Sequence, residues 1–215
     1  MWVLGGGRTA PNPSNQVDAY DPGSSSWSTA LPFMTARRNM AADIDQLDAI
    51  IDKFMDYARP GDVKLGPVLL SQLVDRVIAS VRDTDHIQIV SRVAIDVRVL
   101  ADETELSRVF ANLFENARRY GRSEDGVAHV QVTYARSGQW VVVSSRDQGP
   151  GVPPAMLSQL TTPFYRGNVA RTHATGAGLG LAIVDKAIAR MGGQFELANA
   201  PDSGLIAHVR LRRVG

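Results

Sequence analysis

The sequence predicts an α/β (α+β) domain over residues 66–215, with helices packed on one face of a mixed β-sheet to form a two-layer sandwich. Two patterns lead to this prediction. Segments with apolar residues spaced three and four apart, typical of amphipathic helices, are interspersed with segments of alternating apolar and polar residues, typical of half-buried strands. Hydrophobic residues make up 44% of the 215-residue chain, which is enough for a packed core.

The elements of this domain are expected in a definite order. An amphipathic helix runs from about Leu69 to Val81, and extended chain follows over 87–99. Asp102 and Glu105 form a capping-box pattern at the start of a helix that ends near Tyr120. The remaining predicted elements are strands over 127–134 and 140–144, a short helix after Pro153-Pro154, a longer helix over 179–191, and strands over 194–197 and 205–211.

The residues before this domain fall into two zones. Residues 1–39 are rich in Gly, Pro, Ser and Asn, and turn signals such as Asp21-Pro22-Gly23 predict short strands joined by loops. Residues 40–60 contain apolar residues at coiled-coil-like spacing and predict one amphipathic helix, which Arg59-Pro60-Gly61 ends. Because so short a helix is marginally stable alone, we expect it to pack against partner helices.

Charge and composition exclude several classes of function. The 23 Lys and Arg balance 22 Asp and Glu, so nothing in the net charge favours a nucleic-acid partner. The absence of cysteine excludes disulfides, cysteine-ligated zinc, iron–sulfur clusters and thiol nucleophiles. Neither a signal peptide nor an apolar run of about 20 residues is present, so the chain as given is predicted to be cytoplasmic.

The helix over 102–120 carries a polar stripe. Asn112, Asn116 and Arg119 are spaced at i, i+4 and i+7 and therefore share one helix face. An asparagine oxygen can ligate Mg²⁺, and a guanidinium group can bind a phosphate through two hydrogen bonds. The stripe thus suits a metal-bound polyphosphate, although a solvated helix face gives the same pattern.

Two glycine-containing loops follow. In the first, Asp147 ends an apolar strand and could accept a hydrogen bond from an exocyclic amine. Gly149 and Gly151 would let the backbone approach a flat ring closely. The alternative interpretation of this loop is a plain β-turn. The second loop, 176–181, opens a helix whose backbone N–H groups could bind phosphate. It lacks the Lys-Ser/Thr pair of a P-loop and the βαβ context of a dinucleotide-binding fold.

The polar segment between these loops, 162–175, carries Arg166 and Arg171. Loops of this length are uncommon unless they have a function, so we expect a mobile lid over a nucleotide rather than an ordinary surface loop.

The four motifs, in this order, resemble those of bacterial two-component sensor histidine kinases, and the similarity is greatest to the osmolarity-sensing subfamily. It covers residues 40–215. The stretch 112–121 resembles the N box of that family, 147–151 its G1 box, 163–167 its F box and 176–181 its G2 box.

The resemblance implies a Bergerat-type ATP-binding sandwich that uses ATP and Mg²⁺. It implies a catalytic role for Asn116 and Arg119, with Asn116 as the metal ligand, and a hydrogen bond from the adenine amino group to Asp147. The residues implied in nucleotide binding are Asn112, Asn116, Arg119, Tyr120, Asp147, Gly149, Gly151, Val152, Phe164, Tyr165, Arg166, Gly176, Gly178, Leu179 and Gly180.

The resemblance also implies partners: a response regulator, and a second copy of the chain bound through hairpin helices. Residues 40–60 would be the C-terminal part of the second hairpin helix. Intact members of the family are usually inner-membrane proteins with this domain in the cytoplasm.

The sequence departs from the family at its phosphoacceptor. That histidine is expected on a hairpin helix before residue 40, and none of the four histidines, His86, His129, His173 and His208, has the expected sequence context. Residues 2–38 instead resemble a single kelch repeat, from Gly5-Gly6-Gly7 through Trp27 to Arg37. Because one blade cannot close a propeller, we interpret this segment as a fusion or a remnant.

Two other functions remain open. One is ATP hydrolysis, as in the gyrase, chaperone and mismatch-repair members of the superfamily. Glu115, beside Asn116, is the candidate catalytic glutamate for that reaction. A serine-kinase anti-sigma factor is a related alternative. The other is a non-catalytic nucleotide-binding or kelch-type interaction module.

Overall fold

The computed structural model describes residues 2–5, 17–21, 23–24, 26–30, 48, 50–58, 62–81, 86–165 and 177–215. The chain forms two compact units, Met1–Asp52 and Lys53–Gly215. Two of the predicted site residues, Arg166 and Gly176, and most of the predicted lid lie outside the described residues.

The first unit contains the short strands that its turn-rich sequence predicts. They are β1 (Trp2–Gly5), β2 (Val17–Asp21) and β3 (Ser26–Ala30). The strands form an antiparallel sheet in the order β1-β2-β3, and Tyr20 of β2 lies opposite both Trp2 and Trp27.

The second unit is built on a five-stranded mixed sheet in the order β5-β7-β8-β10-β9. Its strands are β5 (Ile87–Ser91), β7 (Ala128–Ser137), β8 (Trp140–Asp147), β9 (Gln194–Asn199) and β10 (Leu205–Arg212). The β5–β7 pair is parallel and the other pairs are antiparallel. A separate two-stranded sheet joins β4 (Gly66–Leu69) to β6 (Arg98–Ala101).

Three helices share one core with the sheet, which confirms the predicted two-layer sandwich. They are α1 (Leu70–Val81), α2 (Glu103–Tyr120) and α3 (Gly180–Arg190), and a 3-10 helix spans Pro154–Gln159. Phe110 and Phe114 of α2 are fully buried and pack with the inward-facing valines of β8, Val141 and Val143. Because β8 alternates strictly, this inward row continues through Ser145 to Asp147 at the end of the strand.

The start of α2 confirms half of the predicted capping box. The Asp102 carboxylate accepts the backbone N–H groups of Thr104 at 3.0 Å and Glu105 at 3.1 Å, as an N-cap should. The Glu105 side chain does not return to the cap, because it accepts a hydrogen bond from Arg108 at 3.1 Å. The reciprocal half of the predicted box is therefore wrong.

The helical residues 53–58 contact the second unit, to which they belong. The Lys186 ammonium group of α3 donates to the Tyr57 carbonyl oxygen at 2.7 Å and lies 4.5 Å from the centre of the Tyr57 ring. Arg108 of α2 lies 3.7 Å from the Asp56 carboxylate. Phe54 and Met55 on this segment are 47% and 60% exposed.

The extended chain predicted over 87–99 is divided in the structure. β5 joins the five-stranded sheet, a turn follows at Ile95-Asp96, and β6 pairs instead with β4, a strand that the sequence did not predict. Apolar alternation indicates extended backbone but does not specify which strand is the partner. Among the described residues, no helix combines the length and the apolar character needed to cross a bilayer.

Candidate functional site

The end of α2, the end of β8 and the start of α3 meet at one small cavity. Its lining residues are Leu113, Asn116, Ala117, Ser145, Asp147, Leu181, Leu197, Leu205 and Ala207. The two polar groups on which the nucleotide hypothesis depends most, the Asn116 amide and the Asp147 carboxylate, therefore line the same space. The enclosed volume, ≈ 10 Å³, is about what one water needs. The cavity thus marks where these groups meet and is far smaller than a nucleotide.

Asp147 is a buried carboxylate with one oxygen already bonded. Its side chain is 7% exposed, and Oδ1 accepts the backbone N–H groups of Gly149 at 3.0 Å and Leu205 at 3.1 Å. No described residue is hydrogen-bonded to Oδ2. Burial raises the pKa of Asp147, although the two backbone hydrogen bonds lower it. The arrangement leaves one fixed acceptor in a dry environment, which suits an amino group on a planar ring.

Close backbone packing holds Asp147 in place. A Cβ atom added at Gly121, the residue that follows α2, would lie 2.6 Å from the Asp147 Cγ, and one added at Gly149 would lie 2.5 Å from the Gly121 Cα. Gly204 has φ +100°, and a Cβ there would lie 1.9 Å from the Asp147 carbonyl oxygen. Glycine is therefore required on both sides of the carboxylate.

The loop after Asp147 is fixed by a residue that the sequence analysis missed. The Asn199 side chain, at the end of β9, accepts the Val152 N–H at 3.0 Å and donates to the Val152 carbonyl oxygen at 2.6 Å. Gly151 has φ +69°, and a Cβ there would lie 2.9 Å from the Asn199 Oδ1. Asn199 belongs to no motif, and only the pairing of β9 with β10 brings it near the loop.

The polar stripe on α2 is divided between two environments. Asn112 is only 9% exposed, donates to the Arg108 carbonyl oxygen at 2.9 Å, and places Oδ1 3.5 Å from where a Gly180 Cβ would lie. It therefore packs against the start of α3 and does not lie on a solvated face. The Asn116 side chain makes no hydrogen bond to any described residue, so its oxygen is available to a ligand. An amide oxygen of this kind fits Mg²⁺, which prefers oxygen ligands.

Arg119 is held by a carboxylate on its own helix. The Glu115 carboxylate accepts two hydrogen bonds from Arg118, at 2.7 and 2.8 Å, and a third from Arg119. Burial raises the pKa of Glu115, but the hydrogen bonds from the two arginines outweigh burial and leave this pKa below its usual value. Glu115 is accordingly a weak proton acceptor, and binding of Arg119 to a phosphate would compete with this ion pair.

The described part of the predicted lid is attached to the glycine loop. The Phe164 N–H donates to the Gly178 carbonyl oxygen at 2.9 Å. A Cβ at Gly178, whose φ is +67°, would lie 2.9 Å from the Tyr165 carbonyl oxygen. Leu179 is fully buried and anchors the loop as α3 begins at Gly180. The Phe164 ring is 57% exposed, at a backbone φ of +63°, and could contact a nucleotide.

Six of the predicted site residues thus form three pairs: Asp147 with Asn116, Asn112 with Gly180, and Tyr165 with Gly178. Tyr120, 44% exposed, does not line the cavity.

Comparison with known proteins identifies the domain. Residues 101–214 match the model of the family described as histidine kinase-, DNA gyrase B-, and HSP90-like ATPase. The sensor protein KdpD of Mycobacterium tuberculosis is 33% identical over 178 residues, an alignment that covers 78% of this chain and 20% of KdpD. The chain thus spans only about a fifth of this relative.

Two solved structures share the fold. The mycobacterial sensor histidine kinase MprB is 25% identical with a TM-score of 0.59, and the match covers 70% of this chain and 98% of the MprB chain. Histidine kinase ThkA in complex with the response regulator protein TrrA is 21% identical with a TM-score of 0.61, over 81% of this chain and 49% of that one. The relatives and solved structures named here are sensor histidine kinases, and the chain itself belongs to the family of histidine kinase-, DNA gyrase B- and HSP90-like ATPases, which its residues 101–214 match.

Proposed function

We propose that residues 66–215 bind Mg·ATP and transfer its γ-phosphoryl group to a histidine on a dimerisation hairpin, as the catalytic domain of a two-component sensor kinase. The observation that supports this best is that one cavity is lined by Asp147 and Asn116, whose Oδ2 atom and side-chain amide, respectively, make no hydrogen bond to a described residue. The first suits the adenine amino group and the second suits the cation on the phosphates, and a bound nucleotide would extend well beyond the water-sized cavity that both groups line.

The other residues of the site position this nucleotide. Gly149, Gly151 and Val152 form the wall beside the purine, and Asn199 keeps that wall rigid. Gly178, Leu179 and Gly180 present backbone N–H groups at the start of α3 to the phosphates. Asn112 holds the start of α3 against α2.

Phosphoryl transfer breaks the bond between the γ-phosphorus and the β–γ bridging oxygen, forms a bond to an imidazole nitrogen and releases ADP. The domain contributes position and charge to this step rather than covalent chemistry. Mg²⁺ is usually held by one or two protein groups and by substrate phosphates, which matches the single ligand Asn116.

The described histidines support an acceptor outside this sequence. His208 and Ser144 are hydrogen-bonded at 2.8 Å on the sheet face away from the helices. His129 is paired at 2.7 Å with Asp125, whose pKa this hydrogen bond lowers to about 2. None of the three described histidines, His86, His129 and His208, lines the Asp147 cavity, and His173 lies outside the described residues.

The finer assignments belong to the same proposal. The exposed Phe54 and Met55 on the helical segment suit packing against hairpin helices of a second copy. The complex of the related ThkA with a response regulator supports the same class of partner here. The motifs suggest the osmolarity-sensing subfamily. The three-stranded sheet of the first unit suits one kelch-type blade over residues 1–39. Residues 40–60 would then be part of the hairpin helix.

A phosphotransfer assay tests the proposal. The chain is mixed with a separately purified hairpin domain of a sensor kinase, Mg²⁺ and γ-labelled ATP. We expect acid-labile label on the hairpin domain and none on this chain. Asn116→Ala should lower the transfer rate at least tenfold, because the cation loses its protein ligand. Gln131→Ala, an amide on the opposite face of the sheet, is the matched control and should leave the rate unchanged.

Binding measurements separate metal from nucleotide in the same variants. Asn116→Ala should weaken binding of a fluorescent ATP analogue in the presence of Mg²⁺ but leave metal-free binding close to that of the parent chain. Equal loss with and without Mg²⁺ would contradict the metal assignment, and label appearing on this chain alone would contradict the absence of an acceptor.

ATP hydrolysis is the second candidate, because the family includes ATPases. It would need Glu115 as the proton acceptor, but this carboxylate is paired with two arginines and its pKa is lowered. We therefore expect a low steady-state rate of ATP turnover that Glu115→Gln leaves unchanged, as measured by phosphate release. Rapid turnover that this substitution removes would favour the hydrolase.

A further inference from the structure

We propose that an arginine-lined pocket at the opposite end of the sheet binds a small, multiply charged anion of the phosphate type. The cavity has a volume of ≈ 220 Å³, and its charged side chains are Asp96, Arg98, Arg136 and Arg213. This volume is below the range of about 300–1,000 Å³ of pockets for drug-sized ligands, so an inorganic anion or a small phosphate ester fits better than a nucleotide.

The pocket is separate from the nucleotide site. Val141, at the start of β8, lines this pocket, while Asp147, at the end of the same strand, lines the cavity at the nucleotide site. Six residues of strand at roughly 3.4 Å each place the two sites about 20 Å apart. A ligand here therefore does not contact the groups that the proposed kinase chemistry uses.

Backbone hydrogen bonds fix the walls of the pocket. The Arg213 N–H donates to the Gln139 carbonyl oxygen at 2.8 Å, and the Val214 N–H donates to the Arg98 carbonyl oxygen at 3.1 Å. Arg213 and Val99 also form a β-bridge. The end of β10 is thereby joined to β6 and to the turn between β7 and β8. Because the arginine-bearing strands are held before any ligand arrives, little backbone ordering opposes binding.

The charges in the pocket are unbalanced. Arg136 donates to Asp96 at 2.6 Å, and this hydrogen bond, with a further contribution from the charge of Arg213, lowers the pKa of Asp96. The guanidinium groups of Arg98 and Arg213 have no hydrogen-bond partner among the described residues. The lining residues thus carry three guanidinium groups and one side-chain carboxylate, an excess of two positive charges on side chains, which an α-carboxylate at Gly215 would reduce to one. Planar guanidinium groups match the oxygens of a phosphate better than ammonium groups do.

The proposal is tested by titrating the full chain with inorganic pyrophosphate in a calorimeter. A non-hydrolysable ATP analogue is present at a saturating concentration, so that the nucleotide site is occupied. We expect saturable binding that the double substitution Arg98→Gln and Arg213→Gln weakens at least tenfold. Arg76→Gln, which removes an exposed arginine of α1, should leave pyrophosphate affinity unchanged. Affinity for the ATP analogue should be the same in all three proteins, which separates this result from the proposed kinase function.

A measurement on the unsubstituted chain remains informative if the double variant fails to fold. The Nε–H resonances of Arg98 and Arg213 should shift during the pyrophosphate titration, while that of Arg76 should not. Absence of binding to the unsubstituted chain, or equal affinity in the double variant, would overturn the proposal.

Discussion

Asp147→Asn is expected to weaken ATP binding by roughly 10- to 150-fold, which corresponds to a hydrogen bond to a charged group of about 1.5–3 kcal/mol. The substitution preserves the shape of the side chain, and the asparagine oxygen can still accept the Gly149 and Leu205 N–H groups. The second oxygen becomes an NH₂ group, so a donor then faces the adenine amino group. Displacement of a fluorescent ATP analogue measures the change in affinity.

Inosine triphosphate, which lacks the exocyclic amine, is the matched nucleotide control. The parent chain should prefer ATP strongly over inosine triphosphate, and Asp147→Asn should remove most of that preference. Thermal unfolding of the variant should resemble that of the parent, because both backbone hydrogen bonds remain. A variant that binds ATP as tightly as the parent would show that Asp147 does not recognise the purine.

Gly204→Ala is expected to lower the free energy of unfolding by roughly 2–6 kcal/mol, or to prevent folding. Its φ of +100° strains any residue with a Cβ, which costs roughly 1–3 kcal/mol. The added Cβ would also lie 1.9 Å from the Asp147 carbonyl oxygen, so the strand ends must separate. Such overpacking typically costs a further 1–3 kcal/mol or so. Urea denaturation followed by circular dichroism measures the loss.

Gly138→Ala is the control, because Gly138 also has a positive φ, +57°, but no atom within 4 Å of the added Cβ. It isolates the backbone strain, about 1–2 kcal/mol for a left-handed conformation. If the two variants were equally stable, the close approach of Gly204 to Asp147 would have no energetic significance.

The local elements of the fold could be predicted because short-range periodicity determines them. The alternating residues of β8, the apolar face of α2 and the Asp102 cap are all readable within about ten residues. The partner of β6 could not be predicted, since the same alternation suits either sheet, and β4 lacks an alternation long enough to be recognised.

The motifs predicted that certain residues would lie close together, and contacts made by residues outside the motifs were not predicted. Asp147 and Asn116 belong to motifs, and both line the same cavity. The roles of Asn199 and Gly204 were missed, because each contacts a residue almost 50 or more positions away in the sequence. The ion pair between Arg119 and Glu115 was also missed, because it is one of several side-chain arrangements possible on a helix face.

The hydrogen bond from the Leu205 N–H to the Asp147 carboxylate determines when this site is completed as the chain is synthesised. Leu205 begins β10, which is made after β8 and β9 but lies between them in the sheet. A nascent chain in which β10 is still held in the ribosome lacks both an inner strand of the sheet and the second donor to the carboxylate. The proposed contact with adenine is therefore completed only after β10 has been made, so shorter products do not sequester ATP at this carboxylate.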